Sequence, residues 1–194
     1  MADSKFSALT ANTTPVATDV IIMVDDPGGT PSGQKVTLQS LKDYFCPSGQ
    51  IYGLTLSNAA DTVNDITVAA GEAKDESNTV CMELSSPITK QLDAGWAVGT
   101  NAGGLNTGAV ANSTWYEVHL IKRVDTGVVD VMFTTTANRA TLPANYTKQR
   151  RIGWINTQAA GAGIRQFTQI NDHFTLTTQI NDIAQAMTST AAQA

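Results

Sequence analysis

The chain has 194 residues, 42% hydrophobic and only 15% charged, with a formal net charge of −5; this length holds one ordinary domain, or a smaller one with an arm. The acidic balance argues against bulk binding to nucleic acid or anionic membrane, which draws on basic surface. Residues 1–6 carry no apolar signal core and no apolar run nears membrane-spanning length, so neither a nucleic-acid partner nor membrane insertion is expected.

Residues 20–24 form a short β-branched apolar run and predict a strand. The stretch 25–33 is dense in Asp, Pro and Gly and reads as a turn, with extended chain resuming at 35–37. Leu38, Leu41 and Phe45 then follow at helical spacing. Thr37 can N-cap that helix, and Val36 can pack on Leu41 as a hydrophobic staple. Cys46, Pro47, Ser48 and Gly49 end it. A strand, a turn and a short helix bury too little apolar surface to fold alone. Residues 1–46 therefore read as an arm that docks elsewhere. Its docking residues would be Val20, Ile22 and Val24 from the strand and Leu38, Leu41 and Phe45 from the helix.

From residue 47 to 194 the chain reads as a second, β-rich unit. Strands are expected near 51–56, 64–68, 79–84, 88–92, 115–123, 128–134, 148–155, 164–170 and 173–178. Short strands at this spacing predict an antiparallel β-sandwich-like domain, so the fold class is mainly β with a short N-terminal arm. Between them, residues 92–108 are punctuated by glycine and read as a long loop. Loops carry binding residues disproportionately, which makes Trp96, Asn101 and Asn106 candidate receptor contacts. Asp125, Thr126 and Gly127 join the next two strands as a hairpin. Residues 180–187 have apolar positions at helical spacing, and helix and strand both remain open there.

The chemistry-bearing residues form no catalytic pattern. The glycine-rich 28–35 stretch places Gln34 where a phosphate loop needs lysine, and Pro31 removes an amide from the cradle. His119 and His173 are the two histidines; His119 alternates with Val118 and Leu120 and reads as a hydrogen-bonded strand residue. Asn171, Asp172 and His173, with Asp65 or Asp125, lack metal-ligand spacing. Cys46 and Cys81 lie in different segments and read as two isolated reduced thiols. Trp115 and Trp154 read as core or interface anchors. No catalytic residue, cofactor or metal is expected.

Taken in order, residues 92–108, 115–123, 125–127 and 128–133 resemble a domain of tail-fibre and fibre-like appendage proteins of tailed bacteriophages. Residues 54–58, 64–73 and 150–153 look like further strands of the same family, and the resemblance spans roughly 51–178. Residues 1–46 resemble the virion-attachment arms of phage fibres. The resemblance implies a non-enzymatic virion structural protein, a tail or head fibre or fibre adaptor, assembled in the host cytoplasm and located in the particle. It also implies a homotrimer, other virion proteins as partners, and further sequence beyond Ala194. The alternative is a receptor- or glycan-binding module of the adsorption apparatus, using the 95–112 loop against a host surface glycan.

Overall fold

The structure, a computed structural model, describes residues 13–16, 18–25, 29, 32–170 and 173–178. β1 (Val20–Asp25) and β2 (Ser32–Thr37) pair as an antiparallel ribbon, Val20 opposite Thr37. α1 (Leu38–Phe45) follows directly, and Thr37 caps it by accepting the Ser40 amide at 3.1 Å. The Cys46 amide closes the last turn on the Lys42 carbonyl at 2.9 Å.

The body continues with β3 (Ile51–Gly53), β4 (Leu56–Asn58), β5 (Asp65–Val68), β6 (Gly71–Lys74) and β7 (Cys81–Leu84). Then come β8 (Ile88–Gly95), β9 (Ala102–Leu105), β10 (Trp115–Lys122), β11 (Val129–Thr134) and β12 (Lys148–Asn156). A final hairpin is made by β13 (Phe167–Ile170) and β14 (His173–Leu176). Seven strands form one sheet in the order β12-β10-β11-β9-β8-β5-β4, and β3-β6-β7 form a second. The fold is mainly β, as the sequence predicts, but the large sheet is mixed: β9 runs parallel to both β8 and β11.

One core unites the two sheets. Leu56, Ile66, Val118, Leu120, Val131, Phe133 and Ile155 from the large sheet meet Ala73, Met82 and Leu84 from the small one. Burying a side chain such as Leu or Phe contributes about 1.5–3 kcal/mol, so this layer supplies most of the fold's drive. The large sheet curls until its end strands approach, and a Cβ on Gly153 of β12 would stand 2.5 Å from Leu56 Cδ1 of β4. The β13–β14 hairpin sits beside that seam, its Gln169 side chain accepting the Leu56 amide at 2.9 Å.

On β10 the period of two is plain: Tyr116, Val118 and Leu120 face this core. Ile121 faces the other way, into a smaller cluster with Met132 and Tyr146 that Trp96 and Leu142 flank. The arm meets the body through polar contacts. Lys42 pairs with Glu72 at 3.5 Å and with Glu83, Asp43 Oδ1 accepts the Cys81 amide at 2.8 Å, and Lys74 donates to the Asp43 carbonyl.

Candidate functional site: an exposed apolar arm and a groove at the sheet edge

The arm carries several of its apolar residues outward. Val20 and Ile22 on β1 and Phe45 on α1 are exposed, Ile22 by 70% and Phe45 by 73%. Leu38 and Leu41 are half-buried, and no residue of α1 is fully buried. Val24 lies on β1 beyond Ile22, in register with Gly33. Tyr44 packs edge-on against Phe45 with ring centroids 5.3 Å apart, enlarging the aromatic surface at the end of the helix. Exposed Tyr52 and Ile51 on β3 add to the apolar surface of the body. Single exposed apolar residues are ordinary, but a ribbon and helix bearing so many are characteristic of interaction surfaces.

The glycine-rich stretch is not the free loop its composition suggests. Residues 92–95 complete β8, and Ala102–Leu105 is β9, inserted between β8 and β11. The glycines are there for close approach: a Cβ on Gly103 would fall 2.0 Å from the Gly95 carbonyl, and one on Gly104 2.7 Å from the Phe133 ring. What remains is a short turn, and it is pinned from below. Lys90, fully buried, reaches Asp130 at 3.1 Å and also donates to the carbonyls of Ala97 at 2.5 Å and Gly99 at 3.1 Å. Asp130 accepts the Gly99 amide at 2.7 Å and the Val131 amide at 2.6 Å. Three ammonium protons thus meet three acceptors, the arrangement that makes a buried charge tolerable.

Of the three candidate contacts of that stretch, Trp96 and Asn106 are engaged by the protein and Asn101 is exposed. The Trp96 indole donates to the Val131 carbonyl at 3.0 Å, packs edge-on against Tyr146 at 5.0 Å, and lies 5.3 Å from the Lys90 ammonium. It is half-buried, and its ring is largely taken up by the protein. Asn101 occupies the left-handed region at φ 56°, where asparagine is tolerated, and is exposed. Asn106 bonds through its side chain to the carbonyls of Asn138 and Thr141, which ties β9 to the segment after β11.

A better-formed concavity lies at the seam of the large sheet. Trp115, Ile152, Trp154, Leu56, Gln169 and Phe174 line a groove of about 640 Å3. Trp115 is 46% exposed at its mouth, and the Arg151 guanidinium stacks over Trp154 at 4.9 Å. Trp115 and Trp154 stand out in the sequence only as large aromatics; the closure of β12 toward β4, which makes the groove, leaves no local signal.

Beside it, on the same strand, is a buried charge cluster. Glu117 and His119 are both fully buried, their carboxylate and Nε2 2.7 Å apart. Glu117 also accepts the Thr136 hydroxyl at 2.9 Å and faces Arg139 at 3.8 Å. Burial would raise the Glu117 carboxyl, but the hydrogen bonds from His119 and Thr136 outweigh it and hold it below its usual range. Burial pushes His119 down, against the pull of Glu117. A neutral His119 donating from Nε2 leaves Nδ1 as an acceptor, and that atom has no partner among the described residues. The sequence expectation of a hydrogen-bonded strand histidine matches this geometry. The cluster anchors the 135–147 segment across the outer face of β10 rather than opening to a substrate.

Among the described residues, no group of three or more His, Cys, Asp or Glu side chains is placed to hold a metal ion. His173 is exposed on β14, Asp125 is engaged by Arg123 through two hydrogen bonds, and Asn171 and Asp172 lie outside the described residues. No protein-family model, curated protein or solved structure matches the chain.

Proposed function

We propose that this protein is a non-enzymatic structural component of a bacteriophage virion appendage, a fibre or fibre adaptor that docks on the particle through its N-terminal arm. The observation that carries the reading is an arm that exposes Val20, Ile22 and Phe45, attached by polar contacts to a β-body with its own core. Among the described residues the β1–β2 ribbon has no third strand, and a two-stranded ribbon is marginal in water without something to pack against. A partner that pairs with its edge and covers Ile22 and Phe45 removes both liabilities.

The body's low charge and its abundance of Thr, Gly and Ala suit close packing of copies about an axis, and closed rotational symmetry is the usual arrangement of identical subunits. Together with the resemblance to phage fibres, this supports reading the assembly as a homotrimer. Light scattering of the full chain at micromolar concentration tests this: a trimer mass is expected, and a monomer both alone and with the particle partner present would overturn it.

A second reading, binding of a host-surface glycan, is favoured by the groove between Trp115 and Trp154, where an exposed indole offers a stacking face. Binding on a glycan array that is lost in Trp115→Ala and kept in Trp96→Phe would support it. Binding unchanged by Trp115→Ala would remove it.

A further inference from the structure

The two cysteines, far apart in the sequence, meet in the fold. Cys46 is the C-cap of α1 and Cys81 opens β7, and both are buried. The last turn of α1 lies over the start of β7: Asp43, three residues before Cys46, accepts the Cys81 amide at 2.8 Å. Both cysteines line one small surface pocket of about 260 Å3, together with Lys42, Phe45 and Glu72. Cys81 Sγ lies 3.9 Å from the Glu72 carboxylate, and Lys42 pairs with that same carboxylate at 3.5 Å.

We propose that Cys46 and Cys81 form a dithiol that closes to a disulfide by exchange with a small-molecule disulfide such as oxidised glutathione, tying the base of the arm to the β-body. The pocket gives the reagent an approach to both sulfurs. Cys46 is the more accessible of the two, 9% exposed against 1% for Cys81, so the first attack falls to Cys46. Burial, then the contact with the Cys46 thiol and the nearby Glu72 charge, also pushes the Cys81 thiol up to about 12. The Cys46 thiolate attacks one sulfur of the reagent, forming a mixed disulfide and expelling one glutathione thiolate. Cys81 then loses its proton and attacks the Cys46 sulfur, expelling the second. Two cysteine thiols are oxidised to one S–S bond, the reagent is reduced to two thiols, and the two cysteine protons end on those thiols. The bond adds a covalent link to the contacts that hold α1 to β7, so the arm's freedom becomes sensitive to the surrounding thiol pool.

The test is incubation of the full chain with oxidised glutathione, acid quench, alkylation and intact-mass measurement, followed by peptide mapping without reduction. Wild type is expected to end two hydrogens lighter, unalkylated, with the peptides of Cys46 and Cys81 linked. Cys81→Ser should stop at a glutathione adduct on Cys46, and Cys46→Ser should stay largely unmodified. Since the wild-type map needs no variant to fold, it decides alone if either variant fails. Two alkylatable thiols, glutathione left on either cysteine, or disulfide-linked dimers in wild type would each overturn the proposal.

Discussion

Removing Lys90 tests whether the glycine-rich stretch is held as described. In Lys90→Met the chain length and most of the apolar stem remain, but Asp130 loses the cation at 3.1 Å while staying 1% exposed. The carbonyls of Ala97 and Gly99 lose their donor as well. Removing one partner of a buried pair costs about 3–5 kcal/mol, because the other charge is left uncompensated. The two amides donated to Asp130 soften this, which favours the lower end of that range. Small domains have only about 5–15 kcal/mol in total, so the variant should sit close to unfolding. In a chain of this size the melting temperature should fall by about 6–20 °C. Urea unfolding followed by intrinsic tryptophan fluorescence reads the loss, and Trp96 reports locally because it lies over Lys90. The double variant Lys90→Met/Asp130→Leu should recover part of it, since no lone charge remains. A loss below about 1 kcal/mol in Lys90→Met, or a double variant as costly as the two singles added, would refute the reasoning.

Three further outcomes follow from the same geometry. Asp75 sits at the β6–β7 turn, accepting the amides of Thr79 and Val80; against the burial that would raise it, the Ser77 hydroxyl and these amides lower it from 3.8 to about 2. A carboxyl depressed on folding stabilises above its unfolded value, so its contribution, about 2 kcal/mol, should fade as pH falls from roughly 4 to 2. Asp75→Asn should lose that slope in acid titration of stability, and an unchanged slope would refute the assignment. Gly103→Ala should cost about 1–3 kcal/mol or more in urea, because its Cβ would meet the Gly95 carbonyl, whose backbone cannot give. Deleting residues 1–46 should leave β-type circular dichroism and one cooperative melt, since the main core begins at Leu54; loss of either would show that α1 is integral to the body.

Much of this fold is legible in the sequence where local signals and tertiary packing agree. The helix over Leu38–Phe45 with its Thr37 cap reads directly, as do β10 and β11, whose apolar residues alternate or run together. The misses have physical causes. The predicted strand 51–56 is two strands, because Leu54 takes a φ of 55° and turns the chain between them. β6, Gly-Glu-Ala-Lys, has no β-branched residue and is a strand because β3 and β7 pair on both its sides. β9 hides behind glycines that signal a loop by composition but serve close backbone approach within a sheet. The candidate site divides the same way. The arm's apolar residues stand out one by one in the sequence, whereas the Trp115–Trp154 groove and the Cys46–Cys81 pair arise only when distant segments close together.

The most direct measurement of the central claim is the amount of Ile22→Asp protein found in purified particles assembled in its presence, beside wild type. Ile22 is 70% exposed in the free chain, so the substitution leaves the body's core untouched. Burying an unpaired carboxylate against a partner costs several kcal/mol, enough to abolish docking by a short arm. Particle occupancy should fall to background while the β-type circular dichroism and melt stay at wild-type values. Wild-type occupancy would contradict docking through the arm and move the attachment surface to the β-body.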